Sequence, residues 1–477
     1  MSDRKSYAPI DLDEYAQSSA VELARRVALH ELSPVQLTEC AFEIALREEP
    51  RINAYAALMP EQARRAAVER EREAADGRLR GPLHGVPIAS KDNLYIAGEP
   101  SGKGSLTSPD TLAATSSPMV ERLLAAGAVI IGRTTTPEFG WKGTGISPRT
   151  GITRNPWDES RNSGGSSAGS GATVSSGAVP LATGSDAGGS VRIPASFCGV
   201  VGLKPTLGAI PVWPGTVNEN LSHAGVLTRR VEDARLVFAI TRGSDARDPQ
   251  SSYSIPIPAE TGRRPKVGVV REPFGIAPDA RVATVFDESL RILQGADVAD
   301  FESATVNADL PRSVFEALWV TGRGLGFRDL IREHRSIMDP GLARLAGLAE
   351  AYSLPDFFEA MQARRAFNSA AFALFDDWDL LLMPTMPITA FAADAEVPVG
   401  GEMDAPLPWI TWTPYTYPFN ISGQPAITIP THLSPGHLPV GLQIVGPWSH
   451  DLSVLDFAER CESALSSTNQ TRVAPRP

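Results

Sequence analysis

The sequence predicts an α/β protein in which a mixed β-sheet core is covered by α-helices on both faces. Short apolar runs alternate along the chain with segments whose apolar residues recur at helical spacing. Several of these runs are apolar at almost every position, which is typical of strands buried between two helical layers. No internal repeat is visible, and the Pro/Gly-rich stretches 205–216 and 396–408 are interpreted as loops, not as linkers. We therefore expect residues 1–477 to form a single domain.

The predicted helices begin in an N-terminal helical region of about residues 1–75. Ser33 and Gln36 form an N-cap and a capping-box residue, with Pro34 at the first helical position. A charged helix is expected from about 61 to 75. Further helices are predicted from 119 to the stop at Gly127, from about 280 to 293, and within about 300–375.

Five apolar runs are predicted to form strands of the sheet. They lie at 85–90, 128–132, 266–270, 380–384 and 440–445. Lys91, Asp92 and Asn93 follow the first run directly, so polar side chains are expected at the C-terminal end of that strand.

Composition and charge exclude several classes of function. The chain has 477 residues and a net charge of −11, so no basic face is expected to meet nucleic acid or anionic lipid. Three cysteines and seven histidines are widely spaced, and the lack of CxxC or HExxH spacing argues against a metal site. An odd number of cysteines favours a reducing compartment, and neither a secretory signal nor a run of about 18 apolar residues occurs. We therefore expect a cytoplasmic protein without nucleic-acid or membrane partners.

Residues 163–206 form a Gly/Ser-rich segment that holds the candidate chemistry. A flexible linker is the simplest interpretation, but the glycines alternate with apolar stretches at 172–182 and 200–203 that are suited to burial. A phosphate-binding loop is a weak second interpretation, because neither GxxxxGKS/T nor GxGxxG after a strand occurs. A third is the nucleophile elbow GxSxG, which 165–169 match with Ser167 at the centre. The residues just before this match are too polar for the strand that an elbow requires.

Six motifs follow one another in an order that resembles the amidase signature family. They are GPLHGVPIASKDN, GRTTTPEFG, RNPWDESRNSGGSSAGSG, GSDAGGSVRIPASFCGVVGLKPT, PFNISGQPAITIP and LPVGLQIVG. The similarity extends from about residue 10 to 465. The resemblance implies the amidase signature fold, with the signature core at about 76–240. It also implies hydrolysis of amide-type C–N bonds, with no cofactor.

The same resemblance implies a Ser–cis-Ser–Lys triad. Ser190, the serine of GGS-x-R, would be the nucleophile. Ser166, the first serine of GGSS, would follow a cis peptide bond after Gly165. Lys91, in KDN, would complete the proton relay.

Elementary chemistry sets a condition for Lys91. A serine hydroxyl is a weak nucleophile that needs an adjacent base, and a lysine acts as base only if burial lowers its pKa from about 10.4. The apolar residues before Lys91 are compatible with burial. His84, the one histidine of the signature segments, precedes the strand and is not placed at its end. Asp92 is expected on the opposite face, where its function would be structural.

Small residues precede the implied nucleophile and allow backbone N–H groups to approach a developing oxyanion. The candidate oxyanion donors are the N–H groups of Ala187, Gly188, Gly189 and Ser190. We expect Asp186 and Arg192 to pair with each other and to fix this loop. Ser167 is a candidate for a further hydrogen bond to the triad.

The substrate is less well indicated. A group of apolar side chains within 300–375 could line an acyl or aryl pocket, although helix packing is the preferred interpretation for most of them. The group consists of Phe315, Leu318, Trp319, Phe327, Phe357, Phe358 and Met361. By general resemblance we expect an amidase of broad, apolar or aryl substrate range, including carbamates, as in urethanases.

Two alternatives stay open at this point. One is the glutamine-hydrolysing subunit of a tRNA-dependent amidotransferase, which works only inside a complex. The other is a non-catalytic binding protein, which is disfavoured because all three triad residues are intact. The expected partner is therefore a small-molecule amide or carbamate, bound by a monomer or homodimer.

Overall fold

A mixed sheet of eleven strands forms the centre of the computed structural model, which describes residues 7–252, 264–431 and 438–466. The strands are β1 (Tyr55–Leu58), β2 (Pro87–Lys91), β3 (Val129–Thr134), β4 (Ile146–Ser147), β5 (Gly151–Ile152), β6 (Arg154–Asn155), β7 (Asp158–Asn162), β8 (Leu181–Asp186), β9 (Val201–Lys204), β10 (His223–Thr228), β11 (Lys266–Val269), β12 (Asp300–Ser303), β13 (Leu380–Pro384), β14 (Ala426–Pro430) and β15 (Gly441–Val445). Their order in the sheet is β1-β3-β2-β8-β10-β9-β14-β15-β13-β11-β12, while β4–β5 and β6–β7 form two separate ribbons.

Helices connect most of these strands. They are α1 (Leu12–Gln17), α2 (Ala20–Ala28), α3 (Pro34–Ile52), α4 (Pro60–Ala75), α5 (Pro118–Ala125), α6 (Ala168–Ser175), α7 (Arg192–Cys198), α8 (Val231–Thr241), α9 (Ala280–Gly295), α10 (Arg312–Gly326), α11 (Arg328–His334), α12 (Pro340–Glu350), α13 (Leu354–Ala373), α14 (Pro418–Ile421) and α15 (Asp451–Ser466). Short 3₁₀ turns add Glu138–Gly140, Glu219–Leu221, Pro249–Ser252, Pro273–Gly275, Leu374–Asp376 and Pro408–Trp412.

Strand pairing changes from parallel to antiparallel toward the centre of the sheet. β2 is parallel to β3 and β8, and β11 is parallel to β12 and β13, whereas β10, β9, β14 and β15 are antiparallel to their neighbours. Every residue of β2, β3, β9, β10, β13 and β15 is buried. Because successive side chains of a strand point to opposite faces, both faces of the sheet are covered. The predicted α/β class is confirmed.

Most of the predicted elements are confirmed to within about two residues. Ser33 caps α3, and Gln36 completes the capping box. The strand predicted at 380–384 coincides with β13, whose five residues are all buried. The strand predicted at 85–90 lies at Pro87–Lys91, so Lys91 is the last residue of β2 and does not follow it.

Three parts of the sheet differ from the prediction. The edge strand β12 lies at the start of the region of about 300–375, which was expected to be helical. The N-terminal region, predicted to be helical, contains β1, a four-residue strand that pairs with β3. The central strands β8, β9, β10 and β14 were not predicted, because glycine, serine and threonine interrupt their apolar pattern. Small residues are required there: a Cβ atom on Gly184 of β8 would lie 2.9 Å from the Ser167 hydroxyl.

Two further observations concern the cysteines and the length of the helices. Cys40, Cys198 and Cys461 are free thiols, and burial raises the pKa of Cys198 and Cys461 far above the usual value. Within the described ranges, no helix combines the length and the apolar character needed to cross a bilayer.

Candidate active site

A cavity of about 210 Å³ lies beyond the carboxyl ends of the parallel strands β2 and β8. The loop after β2 contributes Asn93 and Leu94 to its wall, and the end of β8 contributes Ser185 and Asp186. Ligands in α/β proteins commonly bind at this edge of the sheet. The Gly/Ser-rich segment and the end of β2 therefore meet at the edge of the sheet where a ligand is most expected to bind.

Lys91 is fully buried and contacts three serine hydroxyls. Its Nζ lies 2.8 Å from Ser166 Oγ, 3.0 Å from Ser167 Oγ and 3.0 Å from Ser185 Oγ. Hydroxyl groups both donate and accept hydrogen bonds. The same contacts can therefore hold the amine in its charged form or in its neutral form.

The pKa of Lys91 is lowered to about 7. Burial is the main cause, because removal from water penalises the charged form. The nearby Asp186 carboxylate opposes this shift, whereas the guanidinium of Arg323 adds to it. Lys91 therefore meets the condition for a base, which is a pKa lowered by burial. Near neutral pH, a large fraction of its side chain is the neutral amine, which can accept a proton.

Ser190 lines the same cavity as Ser166. It lies in the turn between β8 and α7, and its carbonyl accepts a hydrogen bond from the Ser167 amide at 3.0 Å. The peptide bond between Gly165 and Ser166 is cis. No hydrogen bond joins the Ser190 hydroxyl to another described residue, and Ser190 is a buried residue that lines the cavity.

The loop before Ser190 requires glycine at two positions. Gly189 has φ of +123°, and a Cβ atom there would lie 2.4 Å from Thr416 Oγ1. A Cβ on Gly188 would lie 2.7 Å from the Trp409 ring. The Gly189 N–H, predicted to be an oxyanion donor, instead donates to Asp186 Oδ1 at 2.7 Å. The hydrogen bonds of the described residues leave the amides of Ala187, Gly188 and Ser190 unengaged.

Asp186 and Arg192 form a buried hub beneath this loop. The guanidinium contacts both carboxylate oxygens at 3.0 Å, and it also donates to Thr416 O, Gln443 Oε1 and Asn420 Oδ1. Burial alone would raise the pKa of Asp186, but Arg192 and the Asn420 amide hold it well below its usual value. The expected pairing is present, and it fixes the position of the candidate donor loop.

Removing the Asp186 charge is expected to destabilise the protein strongly. An Asp186→Asn variant leaves the Arg192 guanidinium buried without a counter-charge, and breaking such a pair typically costs about 3–5 kcal/mol. The free energy of unfolding from urea titration measures this cost. The matched control is Glu22→Gln, which breaks an exposed pair with Arg25 and is expected to cost at most about 1 kcal/mol. Equal costs for the two variants would contradict this description of the hub.

Several site residues were not found from the sequence. Ser185 lies inside the signature segment and contacts Lys91, and Asn420 lies in the motif PFNISGQ and contacts Asp186. Their position within motifs was a usable signal. Arg323 of α10, which also lines the cavity, belongs to no motif and could not have been found in this way.

Most of the apolar side chains considered within 300–375 pack in the protein core, which is the interpretation that the sequence favoured. Phe315 and Trp319 are buried and stacked on each other, whereas Phe358 is exposed. Of the seven side chains considered, Phe327 is the one that lines the cavity, where it stacks on Phe139 with ring centroids 4.7 Å apart.

Asp92 and β7 occupy positions outside the reacting groups. Asp92 is buried and pairs with Arg133 at 2.5 Å, as expected for a structural carboxylate. The strand β7, which precedes the GxSxG match, is polar and belongs to a two-stranded ribbon outside the main sheet. It is therefore not the strand of a nucleophile elbow.

Across the described ranges, no cluster of three His, Cys, Asp or Glu side chains is arranged to hold a metal ion.

Comparison with known proteins gives long matches. A model of the family named Amidase matches residues 36–455. The acylamidase of Rhodococcus erythropolis is 33% identical, over 93% of this chain and 95% of the relative. A glutamyl-tRNA(Gln) amidotransferase subunit of a Cyanothece species is 32% identical, over 94% of this chain and 98% of the relative. Among solved structures, a bacterial aryl acylamidase of the amidase signature family gives a TM-score of 0.85 at 26% identity, covering 97% of this chain and 99% of the other.

Proposed function

Because this chain belongs to the amidase signature family, and is therefore an enzyme that hydrolyses amide-type C–N bonds, we propose that it acts through a covalent acyl-enzyme. Ser190 is the nucleophile in this proposal, and Ser166 and Lys91 form the proton relay. Ser167 and Ser185 hold the Lys91 amine, and the hub of Asp186 and Arg192 positions the loop.

Lys91 provides the main support. A fully buried amine with its pKa lowered to about 7 lies 2.8 Å from Ser166 Oγ, and Ser166 shares its cavity with Ser190. A base whose pKa lies near the working pH is well suited to general acid–base catalysis, which contributes about 10²–10⁴-fold in rate.

The reaction follows from these groups. The Ser190 Oγ attacks the carbonyl carbon as its proton passes to Ser166, and the Ser166 proton passes to the Lys91 amine. The tetrahedral oxyanion is stabilised by the amides of Ala187, Gly188 and Ser190, each donor contributing about 2.7–4 kcal/mol. When the C–N bond breaks, the relay returns the proton to the departing nitrogen. Water then attacks the acyl-enzyme by the same route, which releases the acid and restores the Ser190 hydroxyl.

The cavity walls favour an apolar or aryl group beside the scissile bond. The stacked rings of Phe139 and Phe327, together with Val212 and Trp213, line the cavity. Anilides and aryl carbamates present such a group next to a carbonyl that Ser190 can attack, so we include both among the substrates. A carbamate would form a carbamoyl-enzyme in place of the acyl-enzyme.

A second candidate is glutamine hydrolysis within a multi-subunit amidotransferase. It is supported by the relatives that are named as subunits of glutamyl-tRNA(Gln) amidotransferases, which match at 30–34% identity. In that case the chain would release ammonia for use by a partner protein.

A substrate panel separates the two candidates. The purified chain is incubated with anilides, aliphatic amides, aryl carbamates and glutamine, and amine or ammonia release is measured. We expect the isolated chain to release aniline from anilides. Turnover of glutamine alone, with no release of amine from the other substrates, would refute the hydrolysis of anilides and aryl carbamates and favour the amidotransferase function.

A further inference from the structure

Arg323 places a positive charge without a counter-ion in the wall of the cavity. Arg323 belongs to α10, lines the cavity, and is 6% exposed as a residue. Nη1 donates to the Phe139 carbonyl at 2.9 Å, and the guanidinium lies 4.2 Å from the centre of the Trp319 ring. Nε is buried without any hydrogen-bond partner. No carboxylate among the described residues forms an ion pair with it.

A second cation lies on the same cavity. Lys103 lines it, donates to the Tyr95 hydroxyl at 3.0 Å, and forms no ion pair with a described residue. Of the lining residues whose side chains are described, Asp186 alone carries a carboxylate, and that carboxylate is already bound to Arg192. The cavity therefore presents two positive charges that the protein itself does not neutralise.

This arrangement is costly unless a ligand completes it. Burying a charge without a partner is strongly unfavourable, and buried arginines are normally paired with carboxylates or phosphates. Burial lowers the pKa of Arg323 only to about 9, so the guanidinium remains charged at neutral pH. The planar group is suited to binding a carboxylate.

We propose that the preferred substrates of this site are amides that carry a carboxylate, which Arg323 binds while Lys103 attracts it from the partly exposed side of the cavity. The inference rests on the proposed amide hydrolysis, and it narrows the substrate class. The carboxylate belongs either to the acyl part or to the amine part of the substrate, and the two arms of the experiment distinguish these cases.

The experiment compares matched anilides. Succinanilic acid and its neutral counterpart 4-oxopentananilide test the acyl side. 4-Butyramidobenzoate and its neutral counterpart 4′-acetylbutyranilide, with the acetyl group on the aniline ring, test the amine side. In each arm, the ratio of kcat/KM for the charged substrate to that for the neutral one is measured in the wild-type enzyme and in Arg323→Met. The control is Arg344→Met, which removes an exposed arginine whose hydrogen bonds within the described part of the chain are to the carbonyls of Ala405 and Pro406.

We expect the wild-type enzyme to prefer the charged substrate in one arm. Arg323→Met should lower that ratio by roughly 10- to 100-fold, the usual size of a hydrogen bond to a charged group, and Arg344→Met should leave it unchanged. An effect of Arg323 on the Lys91 pKa alone would alter both substrates equally and would leave the ratio intact. Lys103→Met is a second variant, and we expect it to lower the same ratio in the same arm by a smaller factor.

Two results would overturn the inference. One is that the wild-type enzyme hydrolyses neutral and charged anilides equally in both arms. This result does not depend on the folding of any variant. The other is an unchanged ratio in Arg323→Met. The proposed function itself fails if the substrate panel above shows no release of amine from anilides, aliphatic amides or aryl carbamates. If none of these anilides is hydrolysed, benzoate binding, followed by tryptophan fluorescence, tests the inference separately. Binding that is lost in Arg323→Met but kept in Arg344→Met supports it, and binding that both variants retain contradicts it.

Discussion

Replacing Ser190 with alanine is expected to lower kcat/KM for amide hydrolysis by at least about 10⁴-fold, because it removes the oxygen that we propose forms the acyl-enzyme bond. Residual activity would come from binding and from the oxyanion donors, which the substitution leaves in place. Steady-state amine release measures the loss. Covalent labelling by a fluorophosphonate, followed by intact-protein mass spectrometry, should disappear in the same variant.

The control for this substitution is Ser196→Ala, on the helix that follows the nucleophile. The Ser196 hydroxyl accepts a hydrogen bond from the Gly441 amide and does not line the cavity. We expect this variant to be labelled like the wild-type enzyme. If Ser190→Ala were also labelled at the wild-type rate, the nucleophile would be a different residue, and the proposed mechanism would be wrong.

Replacing Lys91 with methionine is expected to lower kcat by about 10³-fold, the contribution of a well-placed general base. Methionine has a similar length and needs no hydrogen-bond partner, so the variant should fold without burying a charge. Amine release at saturating substrate measures the effect. Lys266→Met, at a partly exposed lysine of β11, is the matched control and should retain wild-type activity.

The pH dependence gives Lys91 a signature of its own. Since burial lowers its pKa to about 7, Lys91 is protonated below this pH and cannot accept the proton of Ser166. We therefore expect kcat/KM to rise about tenfold per pH unit below 7 and to become constant above it. The residual activity of Lys91→Met should lack this limb. A wild-type profile that is constant from pH 5 to 9 would exclude Lys91 as the base.

The sequence predicted those parts of the fold whose local pattern agrees with their final environment. β13 is apolar at all five positions and buried at all five, and α3 carries a complete capping box. The central strands β8 and β10 gave no such signal. Their glycines and hydroxyl side chains are explained only by close neighbours from other elements, and a local pattern contains no information about these.

The candidate site likewise combines residues that local motifs indicate with residues that only the three-dimensional structure brings in. Lys91, Ser166 and Ser190 were indicated by motifs, because each motif is a short segment that the resemblance fixes residue by residue. Arg323 was not indicated, since it comes from a helix far along the chain and no short pattern surrounds it. The use of the Gly189 amide by Asp186 likewise follows from the three-dimensional path of the loop and from nothing in the string of glycines.

The hub around Arg192 has a consequence for biosynthesis. Thr416, Asn420 and Gln443, the partners that Arg192 meets outside its own loop, lie 224, 228 and 251 residues further along the chain. A ribosome that has translated as far as Arg192 has already supplied Lys91, Ser166 and Ser190, the proposed base, relay and nucleophile. At that point the Arg192 guanidinium, which helps to fix the loop before Ser190, still lacks these three partners, because the segment that provides them has not yet been made. The complete set of hydrogen bonds around Arg192 can therefore form only after Gln443, in the last strand β15, has been synthesised.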